Sequence, residues 1–106
     1  MSFGLTSQML DACVLAVVAR EDVYGYVLTQ NIRAIVDISE STLYPVLRRL
    51  QKDGLLDTYD QPFNGRNRRF YSITESGRNK LAEYLDEWKM YKTNLDTILT
   101  GGSTHE

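Results

Sequence analysis

The sequence has 106 residues, the length of one domain, and its 42% hydrophobic and 25% charged content excludes a disordered chain. Twelve basic against fourteen acidic residues give a formal charge of −2, so the chain as a whole is not a polycation. Its longest apolar run, Ala12–Ala19, is too short to span a membrane, Met1–Leu10 lacks the basic start of a signal peptide, and the single cysteine cannot form an internal disulfide; a cytoplasmic protein without membrane contact is expected.

Thr6 or Ser7 caps a first helix on which Met9, Ala12, Cys13, Ala16 and Val17 recur at helical spacing, and Glu21-Asp22 marks its end. A second helix opens near Tyr24-Gly25 and runs to about Val36, with Val27, Leu28, Ile32 and Ile35 on one face. Ser39 caps a third, Glu40–Lys52. Its buried stripe is Leu43, Val46, Leu47 and Leu50, which leaves Ser41, Thr42, Tyr44, Arg48, Arg49 and Lys52 off it. Pro45 falls near the end of the first turn, where a missing N–H matters least, and Gly54 stops the helix.

Two short strands follow, Leu55–Asp60 and Arg68–Ile73, joined by Gln61–Asn67 with its Asn64-Gly65 hairpin signal. Thr74 caps a last helix that reaches about Leu99. At roughly 37 Å it is longer than a small domain is wide. On it Leu81, Tyr84, Trp88, Tyr91, Leu95 and Ile98 alternate spacings of three and four, and Leu85 and Leu99 widen the stripe. Such a seam on a projecting helix asks for a partner. A two-fold dimer answers it, with packing inside one protomer as the alternative.

The charge is uneven. Ser41–Lys80 holds eight basic and four acidic residues, a net of +4, while the remainder carries −6. A basic middle between acidic arms is the footprint of a polyanion-binding surface. Three helices followed by a hairpin with a basic tip is the order of a winged helix-turn-helix. The expected class is therefore mainly α with a small β-hairpin: residues 1–74 bind DNA, 75–99 form a dimerisation helix, and 100–106 are a tail. In this arrangement Ser41, Thr42 and Tyr44 donate to phosphates or base edges, and Arg48 and Arg49 reach guanine or phosphate. Arg49 has a rival partner in Asp53 at i+4. On the wing, Arg66, Arg68 and Arg69 suit phosphate or a narrow minor groove.

Catalysis finds no footing. His105, the one histidine, lies in the tail; no ligand set has metal spacing, and no glycine-rich loop cradles a phosphate. Cys13, inside an apolar run, reads as a small core residue rather than a nucleophile. Neither a cofactor nor a metal is expected.

Several blocks carry a family resemblance: Tyr24-Gly25-Tyr26; Ser41-Thr42-Leu43-Tyr44-Pro45-Val46-Leu47-Arg48-Arg49-Leu50; Lys52-Asp53-Gly54-Leu55-Leu56; and the wing from Gly65-Arg66-Asn67-Arg68-Arg69 through Thr74 to Gly77. Together, over about residues 5–98, they resemble the PadR family of transcriptional regulators, and the single C-terminal helix resembles its smaller subfamily. The resemblance implies a dimeric repressor that binds a pseudo-palindromic operator on double-stranded DNA, often at genes handling phenolic or other toxic compounds. It also implies a pore between subunits in which Trp88 stacks on a planar aromatic small molecule, with Phe3, Met9, Asp11 and Ala12 lining it; the alternative for Trp88 is plain dimer core without a ligand. The alternative function is a winged-helix dimer that binds other proteins and not DNA.

Overall fold

The structure is a computed structural model that describes residues 6–101; Phe3 and the tail from 102 to 106, His105 included, lie outside the described residues. Chain order is α1 (Ser7–Arg20), β1 (Val23–Tyr24), α2 (Gly25–Arg33), α3 (Glu40–Lys52), β2 (Leu56–Phe63), β3 (Arg66–Ile73) and α4 (Glu75–Thr100). Three helices begin where the sequence places a hydroxyl. Thr6 accepts from the Met9 amide (3.1 Å), Ser39 from Thr42 (3.2 Å) and Thr74 from Gly77 (2.9 Å). Pro45 lies inside α3, and its missing N–H frees the Ser41 carbonyl on the exposed side of the first turn.

The second helix is shorter than its apolar pattern suggests. It ends at Arg33, and the Val36 amide turns back to the Ile32 carbonyl at 2.8 Å. The reason is Arg33: its Nε donates to the Ile38 carbonyl (3.0 Å) and its Nη1 pairs with Glu40 (3.5 Å), which ties the loop into α3. Ile35, expected on the apolar face, is consequently 87% exposed, and Val27 is exposed as well.

The sheet order is β1-β3-β2, all antiparallel. Both hairpin strands run further than the sequence suggests, because most of Gln61–Asn67 is strand. Only Asn64 (φ 53°) and Gly65 (φ 80°) form the turn, and Phe63 pairs with Arg66. Pro62 is tolerated because β2 is an edge strand. The two-residue β1, Val23 and Tyr24 against Tyr71 and Phe70, is too short to leave a periodic signal. One face of the sheet, Val23, Leu56 and Tyr71, joins Leu10, Val14, Leu15 and Val18 of α1, Leu28 and Ile32 of α2, and Leu43, Leu47 and Leu50 of α3 in the core.

The core therefore takes Leu10, Val14, Leu15 and Val18 from α1; of the Met9, Ala12, Cys13, Ala16 and Val17 set that the spacing singles out, Val17 packs against it and the other four do not belong to it. α1 is apolar on two sides. The second side meets α4, whose Leu81 and Tyr84 pack against their own protomer's core. These two seam positions are thus intramolecular, as the alternative reading allows. Beyond them α4, roughly 39 Å long in a molecule 58 Å in its longest dimension, leaves the body. Leu85, Trp88, Tyr91, Ile98 and Leu99 are exposed there, and Leu95 is half-buried.

Gly77 sets how closely α4 starts against β2 and β3. An added Cβ would run into the Leu55 carbonyl and come within 2.7 Å of Ile73 Cγ1. Helix propensity favours alanine over glycine by up to about 1 kcal/mol, but overpacking costs about 1–3 kcal/mol. Gly77→Ala is therefore expected to lower the urea midpoint; an unchanged or higher midpoint would show that the approach is not tight.

Candidate nucleic-acid interface

At 3.6 residues per turn, Ser41, Pro45, Arg48 and Lys52 share the side of α3 opposite Leu43, Leu47 and Leu50. All four are exposed. Thr42 is exposed on one flank, and Tyr44, half-buried against the core, lies on the other. The Ser39 hydroxyl is 3.0 Å from both the Ser41 and Thr42 hydroxyls, so the helix N-terminus carries a connected row of hydroxyls open to solvent. Lys52 belongs to this face although it was not among the expected contacts. Its helical offset from Arg48 and Ser41 was the signal that could have found it.

The wing lies beside this face. Gln51 Nε2 of α3 donates to Thr58 Oγ1 of β2 (3.3 Å), and Gly25, at the start of α2, fits against Tyr71, where a Cβ would be 3.3 Å from the ring. Burial pushes the Tyr71 phenol up; Arg69 of the wing and Arg48 of α3 both lie near enough for their charges to oppose that rise. α3 and the hairpin thus bring cations to one junction. Arg69 is largely exposed, with a 3.9 Å contact to Asp60. A pair that open to water contributes little and leaves the guanidinium available. Arg66 is exposed at the tip.

Arg68 sits differently from its expected role. Strand alternation turns it to the face opposite Arg69, where Tyr24, Tyr59, Phe63 and Phe70 cluster with centroids 5.7–6.3 Å apart. There Arg68 Nη1 donates to the Tyr24 hydroxyl (2.8 Å) and its guanidinium lies 5.1 Å from that ring's centroid. Its Nε is buried without a partner among the described residues. Tyr24 itself is half-buried in this outer cluster.

Arg49 also departs from expectation. Its partner is not Asp53 but Asp11 of α1, with Nη2 to Oδ1 at 2.5 Å, while the Arg49 side chain itself stays 45% exposed. Asp11 is only 5% exposed, so it does not line a pore as expected. Its other oxygen accepts from the Tyr84 hydroxyl of α4 at 3.5 Å. The hydrogen bond to Asp11 raises the Arg49 pKa further, and Tyr84 is raised mainly by burial and then by the Asp11 charge.

Between α1 and α4 runs a groove of about 580 Å³, lined by Met9, Ala12, Cys13 and Ala16 on one side and Tyr84, Leu85, Trp88 and Tyr91 on the other. Met9, Ala12 and Trp88, expected to line a pore between subunits, here line a groove between α1 and α4 of one chain. Trp88 is 43% exposed, with the Tyr91 ring 6.4 Å away and Lys92 Nζ 5.9 Å from its own ring. Burial pushes the Cys13 thiol up, away from the thiolate a nucleophile needs. Among the described residues no three potential ligands gather for a metal, and no helix is long and apolar enough to cross a membrane.

A helix pair whose second member is aliphatic inside and basic outside, beside a cationic antiparallel hairpin, defines a winged-helix DNA-binding protein. The profile of the Transcriptional regulator PadR-like family matches residues 14–83. The structure of smu.1704 from Streptococcus mutans UA159 aligns with TM-score 0.90 and 40% identity over 100% of both chains. The PadR-like transcriptional regulator BC4206 from Bacillus cereus aligns at TM-score 0.79 and 32% identity, over 85% of this chain and 90% of that one. The Transcriptional regulator Rv3488 of Mycobacterium tuberculosis is 44% identical over 66 residues, 61% of this chain and 62% of its own. The chain belongs to the PadR-like family of transcriptional regulators, which are DNA-binding proteins and not enzymes.

Two neighbouring arginines on α3 should differ sharply in what they do for the fold. Arg49→Ala strands a buried carboxylate and should cost about 2–3 kcal/mol, whereas Arg48→Ala should stay within about 0.5 kcal/mol. Urea unfolding at one fixed protomer concentration measures both. Equal losses would contradict the division of roles.

Proposed function

We propose that the protein is a homodimeric repressor that grips a pseudo-palindromic operator with two copies of α3 and its wing. The observation that carries this reading is the exposed Ser41, Arg48 and Lys52 face beside Arg69 and Arg66, on a chain whose net charge is nevertheless −2. Arg48 and Lys52 neutralise phosphate or read guanine, the Ser41, Thr42 and Tyr44 hydroxyls fix register on the backbone, and Arg66 and Arg69 hold the adjacent groove. Arg49, paired with the buried Asp11 while itself partly exposed, and Arg68, held by Tyr24, make no direct DNA contact in this reading. Residues 1–74 supply the DNA-binding unit and 75–99 the dimerisation helix.

The exposed Leu85, Trp88, Tyr91, Ile98 and Leu99 support the dimer, because a second α4 buries them. Two recognition helices then sit about one DNA turn, roughly 34 Å, apart. The same groove supports release by a planar aromatic compound: Trp88 offers a stacking face and Met9 and Ala12 an apolar wall. Such a compound frees DNA only if it binds better to a dimer whose helix spacing misfits the operator.

Fluorescence anisotropy of the DNA upstream of the protein's own gene, against a scrambled competitor and over a salt series, tests this. Saturable binding of one dimer is expected, much tighter than to the scrambled sequence. Arg48→Ala and Arg69→Ala should each weaken it and lower the salt slope by about one. A planar aromatic that quenches Trp88 should lower the anisotropy. Equal weak binding to both DNAs, untouched by either substitution, would favour a protein-binding module instead.

A further inference from the structure

We infer that Asp11, Arg49 and Tyr84 form a positioning relay that connects the α1–α4 groove to the recognition helix. Arg49 thus acts on DNA binding through Asp11 and not through a phosphate. This rests on the DNA-binding reading above and adds to it a path between two surfaces.

Three elements meet at one carboxylate. Asp11 is the buried acid of α1, its immediate neighbour Ala12 faces the groove, and Tyr84 both lines that groove and donates to Asp11. Arg49 sits one residue after Arg48, so any shift of the pair moves the DNA-facing side of α3 with it. The two joints differ in stiffness. Arg49 to Asp11 is a charge-assisted hydrogen bond to a buried carboxylate, whereas Tyr84 to Asp11 joins a neutral hydroxyl at 3.5 Å, the limit of a hydrogen bond. The charged joint locks α1 to α3. The long joint is the adjustable one: an occupant pressing on the Tyr84 ring closes or opens it, and the rigid pair passes the displacement to α3. A buried charge justifies this role because an aliphatic contact at the same place would let the helices slide, while an unpaired carboxylate is costly.

The full-length protein tests the relay without an added effector. Trp88 is the single tryptophan of the sequence and lies four residues beyond Tyr84, so its emission reports the groove. By reciprocity, DNA bound at α3 must be felt there. Labelled upstream DNA is titrated into wild type, Asp11→Asn, Arg49→Gln, the double variant and Tyr84→Phe. Each titration follows DNA anisotropy and Trp88 emission, with melting curves to set an assay temperature at which every variant is folded.

Asp11→Asn removes a negative charge, so simple electrostatics expects it to tighten DNA binding. The relay expects the opposite. Asp11→Asn and Arg49→Gln should each weaken binding by about tenfold, the double variant no further, with the salt slope kept near wild type. Tyr84→Phe, which keeps its ring and loses only one hydroxyl, should still bind DNA while losing most of the Trp88 response. Additive losses, a salt slope lowered by about one in Arg49→Gln alone, or a Trp88 response absent from wild type or unchanged in Tyr84→Phe would each overturn the relay. No binding by wild type would instead bring down the DNA reading, and the relay with it.

Discussion

Everything in this molecule depends on a mismatch of length. α4 is roughly 39 Å long and its own core covers only the stretch through Tyr84, so an apolar stripe runs on from Leu85 to Leu99, its first turns facing α1 only across an open groove. α1 answers the mismatch from the other side, since its Ala12–Ala19 run gives it one apolar face for the core and another for α4. Burial of large side chains at about 25 cal/mol per Å² is the strongest force such a surface can recruit, and a second copy presents a matching stripe by symmetry. The proposed dimer follows from that force. The spacing of two recognition helices follows from the dimer.

Electrostatics then sorts the basic residues into two groups that the sequence alone makes look alike. Arg48, Lys52, Arg66 and Arg69 remain open to solvent, and even the Arg69–Asp60 contact, at 3.9 Å between exposed side chains, is too weak to hold its guanidinium from a phosphate. Arg49 and Arg68 are held. One neutralises a carboxylate that burial would otherwise leave stranded, and the other binds the Tyr24 hydroxyl within an aromatic cluster. Of two adjacent residues on one helix, Arg48 is thereby left open to solvent while Arg49 ties α3 to α1.

Much of the fold was legible because local chemistry and tertiary packing agree. Thr6, Ser39 and Thr74 cap the helices they announce, Asn64-Gly65 makes the turn, and Leu43, Leu47 and Leu50 bury as a stripe. Legibility failed where a distant partner decided the outcome. Nothing near Asp11 in sequence reveals Arg49 38 positions later, and nothing near Arg33 predicts that its bonds to Ile38 and Glu40 end α2 before Ile35. The apolar run of α1 misled in another way: when every position is apolar, spacing cannot say which face meets the core. Strand alternation did contain the fate of Arg68, since Phe70 and Arg68 share a face, but only once the register was known.

In the proposed assembly two α4-linked copies present two recognition helices to one face of DNA. Hydroxyl-radical footprinting of the upstream DNA tests it most directly. The expected pattern is two protected tracts related by a dyad, with centres about one helical turn apart. A single unsymmetrical tract, or protection without periodicity, would contradict it.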